Sequence, residues 1–247
     1  MSLKDKVVLV TGAAGTIGRE VSRALGARGA LLALTDVAPE PLAALIGDLE
    51  GTAARVWGQP VDASDSHAFS QLVEKVTAAL GPPAVLVNVA GLFKVHHFVT
   101  STPTEWSDMI SSNLLTALVA CRAVLPRMLD ARSGAIVNFA STAGEYGSVR
   151  PAAAYAAAKA GVIGFTKSLA REVSPMGIRV NAISPGPVDT PALKVATDEQ
   201  RAAAASRTLL GRLGHPRDIA DGVVFLASDH SAFVTGTVLQ VNGGSLL

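Results

Sequence analysis

Seven short apolar runs recur along the chain, each ending in a small or polar residue. They are KVVLVTG at 6–12, LLALTD at 31–36, RVWGQPVD at 55–62, AVLVNVAG at 84–91, GAIVNFAS at 134–141, IRVNAISPG at 178–186 and TVLQVNGG at 237–244. All are rich in Val, Ile or Leu and lack the strict alternation of a strand with one wet face. Such runs fit strands buried on both faces, as in a parallel sheet. Between them, apolar residues at helical spacing predict helices over 17–28, 40–50, 66–80, 104–130, 152–173 and 216–228. This β-α-β-α rhythm predicts an α/β fold: a doubly wound parallel sheet with right-handed crossovers, covered by helices on both faces as three αβα layers.

No linker, low-complexity tract or internal repeat interrupts the rhythm, so a single domain is expected over 1–247. The stretch 187–211, PVDTPALKVATDEQRAAAASRTLLG, departs from it. It follows the carboxyl end of a strand, where doubly wound sheets bind ligands. It reads either as a substrate lid or as an ordinary surface helix.

Composition narrows the function classes. The 247 residues are 49% hydrophobic and 17% charged, with a formal net charge of +1 and no run of like charges. Nothing here resembles the basic footprint of a nucleic-acid or membrane-surface protein. The longest apolar stretch, NLLTALVACRAVL, is interrupted by Arg122 and falls short of the roughly 18 residues of a membrane span. The N-terminus lacks the regions of a secretory signal, and the single cysteine, Cys121, excludes an intrachain disulfide. A cytoplasmic protein is expected, with no nucleic acid and no membrane among its partners.

The first strand leads into VVLVTGAAGTIGRE, with Gly12, Gly15 and Gly18 before a helix. Glycines in that position, as in a Rossmann fold, let the backbone turn tightly and approach a pyrophosphate at the helix N-terminus. Asp36 ends the second run. Its carboxylate suits the two hydroxyls of an adenosine ribose and repels a 2′-phosphate, so NAD is favoured over NADP. The plainer alternative is a turn residue.

In AAAYAAAKAG, residues 152–161, Tyr155 and Lys159 stand four positions apart, on one stripe of a helix made otherwise of alanine. A tyrosine filling the core and a lysine snorkelling to water would give the same spacing. Their chemistry suggests more. A phenol has a pKa of about 10, and a nearby ammonium lowers it, making the tyrosine a usable acid and base.

Taken in order, LVTGAAGTIG, Asp62, NVAG at 88–91, Asn113, Ser141, YAAAK at 155–159, NAISPGPVDT at 181–190 and VTGTVLQVNGG at 234–244 resemble the short-chain dehydrogenase/reductase family. The likeness is to its branch of roughly 250 residues and covers essentially the whole chain. It implies an NAD-dependent oxidoreductase that interconverts a secondary alcohol and a ketone, with Tyr155 as general acid/base. It also implies that Lys159 holds the nicotinamide ribose and that Ser141 holds the substrate oxygen. Asn113 would bend its helix and hold a water linking the lysine to solvent. By the same resemblance Gly12, Gly15, Thr16, Ile17, Gly18, Asp36, Asp62, Asn88, Ala90, Gly91, Pro185, Gly186, Val188 and Thr190 bind the cofactor, together with Tyr155 and Lys159. A homotetramer packed through the 104–130 and 152–173 helices is expected.

Two positions depart from the branch pattern: Thr16 stands where a glycine is usual, with glycine at 15, and Val89 replaces an asparagine. His96 and His97 have no acid or cysteine at a ligand-like spacing, so no metal is expected. No G-x-S-x-G elbow is present, which argues against a serine hydrolase. Phe93, His96, Glu145, Tyr146, Arg150 and Leu193 are expected around the substrate, a small-molecule alcohol or ketone. Two alternatives remain at this stage: an NADPH-dependent 3-oxoacyl-thioester (acyl carrier protein) reductase, and a catalytically weak cofactor-sensing or scaffold protein.

Overall fold

A computed structural model describes residues 1–51, 55–190 and 197–245. All seven apolar runs form strands: β1 (Val7–Thr11), β2 (Leu31–Thr35), β3 (Arg55–Gly58), β4 (Val85–Asn88), β5 (Gly134–Phe139), β6 (Ile178–Pro185) and β7 (Val238–Val241). Every pairing is parallel, in the order β3-β2-β1-β4-β5-β6-β7. The order reverses between β1 and β4, which opens a crevice beyond their carboxyl ends, the usual ligand position in such sheets.

The lack of alternation has a direct cause. Val8 and Val10 of β1 face one apolar layer, with Val21 and Leu25 of α1 (Thr16–Gly26) and Val223 and Val224 of α9 (Pro216–Ala227). Val7 and Leu9 face the other layer, with Phe69 and Val76 of α3 (Ser66–Leu80) and Cys121 and Val124 of α5 (Thr116–Ala131). Leu169 of α7 (Ala153–Val173) belongs to that second layer too. Both faces are dry, so the few polar side chains on them, such as Asn138, are paired with other buried polar groups. Each fully buried aliphatic side chain stabilises the fold by about 1.5–3 kcal/mol.

Helix α2 (Pro39–Leu49) lies where the spacing places it. The run expected as one helix over 104–130 is divided. Helix α4 (Pro103–Ile110) begins at a capping box made by Thr102 and Glu105, and a π-helical turn at Ser111–Leu115 separates it from α5. Pro103–Ala131 is nonetheless a continuous helical run of 29 residues, long and apolar enough by composition to cross a membrane. Its inward side chains Ala117, Ala120, Cys121, Val124 and Met128 are buried against the sheet. Two short helices lie outside the expected set: α6 (Thr142–Tyr146) and α8 (Asp198–Ser206), the latter within 187–211. Residues 191–196 of that expected lid, Leu193 among them, lie outside the described residues.

Candidate active site

The glycine turn is shaped by two close approaches. Gly12 has φ +61°, and a Cβ there would lie 2.7 Å from Cα of Ala90, so the loops after β1 and β4 touch at this point. A Cβ on Gly18 would fall 2.1 Å from the Gly12 carbonyl oxygen. No side chain larger than hydrogen fits either place, and the turn is held flat against the helix it opens. Helix α1 starts at Thr16 with Gly15 as its N-cap, so no side chain covers its first N–H groups. That leaves free donors and a positive dipole end for an anionic group.

Asp36, at the end of β2, accepts hydrogen bonds from Ala14 N at 2.9 Å and Ala38 N at 3.1 Å. Asp62 accepts from both N and Oγ of Ser64 at 2.8 Å. Together with Gly12, Gly15, Thr16, Ile17, Gly18, Val89, Ala90, Gly91 and Thr190, these two acids line a cleft of about 900 Å³. That is room for an extended ligand. The two departures from the family pattern fit without distortion: Thr16 is the first helical residue and faces the cleft, and Val89 packs its side chain against the core.

Four expected cofactor residues stand elsewhere than on this wall. Asn88 is buried beneath it, with Nδ2 donating to Asn138 Oδ1 at 2.8 Å, while Asn138 in turn donates to Thr166 at 2.9 Å. This polar chain ties β4 to β5 and α7, so the Asn88 side chain supports the site from beneath. Pro185 ends β6, and Gly186 packs on Asn242, where a Cβ would lie 2.8 Å from the asparagine side chain. The Val188 side chain is buried in the core. Its backbone bridge to Gly214 uses the Pro187 carbonyl and the Asp189 amide, so Val188's own N–H and C=O point away from that bridge.

The presumed catalytic set does converge. The Ser141 hydroxyl, just beyond the carboxyl end of β5, is near enough to the Tyr155 phenol to favour its ionised form, and it caps α6 by accepting from Ala143 N at 3.2 Å. Lys159 Nζ donates to the Phe139 carbonyl at 2.8 Å and lies 5.8 Å from the centre of the Tyr155 ring. A Cβ on Gly91 would lie 2.7 Å from Asn113 Oδ1 and 3.4 Å from Lys159 Nζ, so these three residues share one space. Asn113 sits in the π turn. Its Nδ2 donates to the carbonyls of Leu92 (2.8 Å) and Met109 (3.0 Å), and its Oδ1 accepts from Leu92 N at 3.2 Å. The asparagine thus fixes the loop after β4 through its own amide.

Small residues explain the alanine helix. The missing Cβ of Gly144 would lie 2.6 Å from the Lys159 backbone, and that of Gly161 2.8 Å from Leu114. Helices α6 and α4–α5 can approach α7 this closely only because the facing residues are nearly absent.

Electrostatics differ from the sequence expectation at one point. Burial pushes the Tyr155 phenol up from its ordinary value, offset in part by the nearby Ser141 hydroxyl, rather than down. Lys159 is 4% exposed, and burial lowers its ammonium to about 8. The desolvated lysine lies behind the ring, so in this state removal from water outweighs its attraction for a phenolate.

Of the residues expected around the substrate, Phe93 meets Tyr155 edge to face, with centroids 4.9 Å apart, and Arg150 lies over the Phe93 ring at 5.5 Å. Glu145 instead turns to the sheet edge, where it accepts from Ser184 Oγ and from Gln240 Nε2. Tyr146 also reaches Gln240. His96 pairs with Glu105 at 3.0 Å, an acid nine positions away that spacing rules do not connect. Among the described residues, no group of three or more His, Cys, Asp or Glu is placed to hold a metal ion.

Known proteins share this fold and much of this sequence. A family model described as enoyl-(acyl carrier protein) reductase matches residues 12–245. The 3-oxoacyl-[acyl-carrier-protein] reductase FabG of Vibrio harveyi is 41% identical over 244 residues, covering 99% of this chain and 98% of that protein. The chain belongs to the short-chain dehydrogenase/reductase family. A further member of the family, the FabG of Thermotoga maritima, is 38% identical over 247 residues, the full length of both. Among solved structures, a 3-oxoacyl-[acyl-carrier protein] reductase from Brucella melitensis superposes with a TM-score of 0.95 at 36% identity, covering 100% of this chain and 93% of that one. One from the same species with bound NAD gives 0.93 at 36% identity, with the same coverage. As a member of this family the protein is an oxidoreductase that works with a nicotinamide nucleotide.

Proposed function

We propose that the protein reduces the ketone of a 3-oxoacyl thioester to a secondary alcohol, reversibly, with NAD(H) as its cofactor. The observation that carries the reading is Lys159, buried beside the Tyr155 ring and 3.4 Å from where a Cβ on Gly91 of the glycine-lined cleft would stand, with the Ser141 hydroxyl acting on the same phenol.

The cofactor fits the residues present. Gly12 and Gly18 form a cradle that any Cβ would fill, the open N-terminus of α1 suits a diphosphate, and Asp36 suits an unphosphorylated ribose. When bound, the nicotinamide supplies the hydride. The chain's own residues handle the oxygen. Ser141 holds it beside the phenol, and Tyr155, kept protonated by burial, gives up the proton as the alcohol forms. Lys159 then favours the resulting phenolate electrostatically and holds the ribose. Val188 backbone and Thr190 hydroxyl hold the carboxamide. A hydroxyl pair aimed at one oxygen suits a carbonyl, which accounts for preferring ketone reduction to the alkene reduction in the family model's description. The substrate class follows the names of the relatives, whose chains match this one end to end.

Parallel titrations with NADH and NADPH, followed by nicotinamide fluorescence, test the cofactor. NADH is expected to bind in the micromolar range, roughly 8 kcal/mol, with NADPH far weaker; the reverse order would mean that Asp36 does not read the ribose. Acetoacetyl-N-acetylcysteamine tests the reaction. The wild type should reduce it, and Tyr155→Phe should bind NADH normally while losing at least a thousandfold in kcat. A Tyr155→Phe enzyme with full turnover overturns the acid/base assignment.

A further inference from the structure

We propose that Arg150 is a specificity-determining residue: its guanidinium binds an anionic group of the substrate, a carboxylate or a phosphate, across the Phe93 ring from Tyr155. The inference rests on the function proposed above and names a chemical feature of its substrate.

Three observations place Arg150 at the mouth of the site as a built feature. Its guanidinium carbon lies 5.5 Å from the centre of the Phe93 ring, and that ring stands edge to face on Tyr155. The guanidinium is therefore two ring contacts from the reacting hydroxyl. The backbone that carries it is pinned: His96 N donates to the Pro151 carbonyl at 2.8 Å, and His96 forms a bridge with Ala152, immediately before the catalytic helix. His96 is itself fixed by Glu105. Arg150 N also donates to Ser148 Oγ at 3.3 Å, which tightens the turn.

The third observation is charge. Among the described residues no carboxylate lies within ion-pair distance of Arg150. The nearby acids are committed: Glu105 to Thr102 and His96, Glu145 to Ser184 and Gln240. Lys94 adds a second exposed cation on the neighbouring wall, lining both the cleft and the hollow beside Tyr155. An arginine lying over an aromatic face keeps the N–H edges of its fork outward, where they can take two oxygens of one anion. A neutral substrate would leave Arg150 without a counter-charge.

The test uses wild-type holoenzyme loaded with NAD⁺, which binds ketones without turning them over, and two matched pairs of ketones. Acetoacetate against methyl acetoacetate probes a carboxylate; acetoacetyl-coenzyme A against acetoacetyl-N-acetylcysteamine probes phosphate. Calorimetry should show the anionic member of one pair bound at least tenfold tighter than its neutral partner. Arg150→Gln should reduce that ratio tenfold or more, and Arg150→Lys should keep part of it, because the charge survives while the fork is lost. Which pair responds identifies the anion. Equal binding of both members in both pairs overturns the inference, as does a preference that survives in Arg150→Gln. Failure of the proposed reaction reads out separately, as absence of NADH oxidation with any of the four ketones.

Discussion

Lys159 carries its ammonium into a dry space in which a backbone carbonyl is its hydrogen-bond partner, and burial lowers it to about 8 from 10.5. The unfolded chain therefore holds a proton more tightly at this site than the folded protein does. Between about pH 8 and 10.5 the unfolded state binds more protons, so this group's contribution to stability rises with pH across that window. Below pH 8 both states are protonated and the full penalty applies, about 3 kcal/mol. Lys159→Met should accordingly raise the melting temperature of the cofactor-free protein at pH 7 while abolishing turnover; a lower melting temperature would show that the Phe139 contact outweighs desolvation. The same group sets a pH dependence for the wild type. In the proposed reaction, ketone reduction needs the charged lysine and the protonated tyrosine, and burial raises the tyrosine. The rate of reduction should hold steady through neutral pH and fall as pH rises past about 8, measured as kcat/KM.

At the scale of elements, the apolar period over 104–130 predicts one helix, and the structure interrupts it at Ser111–Leu115. The cause is not in that segment's own pattern. Asn113 satisfies both backbone groups of Leu92, twenty-one positions away, and a π turn brings its amide to them. Asparagine's poor standing inside a helix marks the position in the sequence; the partner does not show there. Asn113→Ala should destabilise the protein by about 2 kcal/mol, because it strands buried polar groups. It should also lower kcat through a displaced 91–94 loop. Denaturant unfolding with an unchanged m-value checks the first effect and single-turnover kinetics the second. The alanine helix shows the opposite case. Tyr155 and Lys159 are legible because one helix carries both and local geometry alone puts them on one face, while Ser141 is legible only through the family resemblance.

For the whole molecule, the helical run Pro103–Ala131 covers the sheet with one side and leaves Ile110 and Leu115 38% and 40% exposed on the other. A face this apolar suits a second copy of the chain, and interfaces of the required stability bury about 1,600 Å². Sedimentation equilibrium is expected to show a tetramer for the wild type and a smaller species for Leu115→Glu. A wild-type monomer would remove the expectation.

The sequence by itself determined the sheet and the position of the cleft, because strand burial, glycine turns and helix period are local properties written in consecutive residues. It also put Asp36 beside the glycine turn and Tyr155 and Lys159 on one helix face; the family resemblance added Asp62 and Thr190, which line the same cleft. What only the tertiary structure decided are contacts between residues far apart in the chain. Asn88 supports the cleft from below, Glu145 turns to the sheet edge, His96 finds Glu105, and Arg150 comes to rest on Phe93. It also decided the direction of the tyrosine's shift: spacing says how near a lysine is, but the balance between attraction and desolvation depends on how much water the surrounding elements exclude.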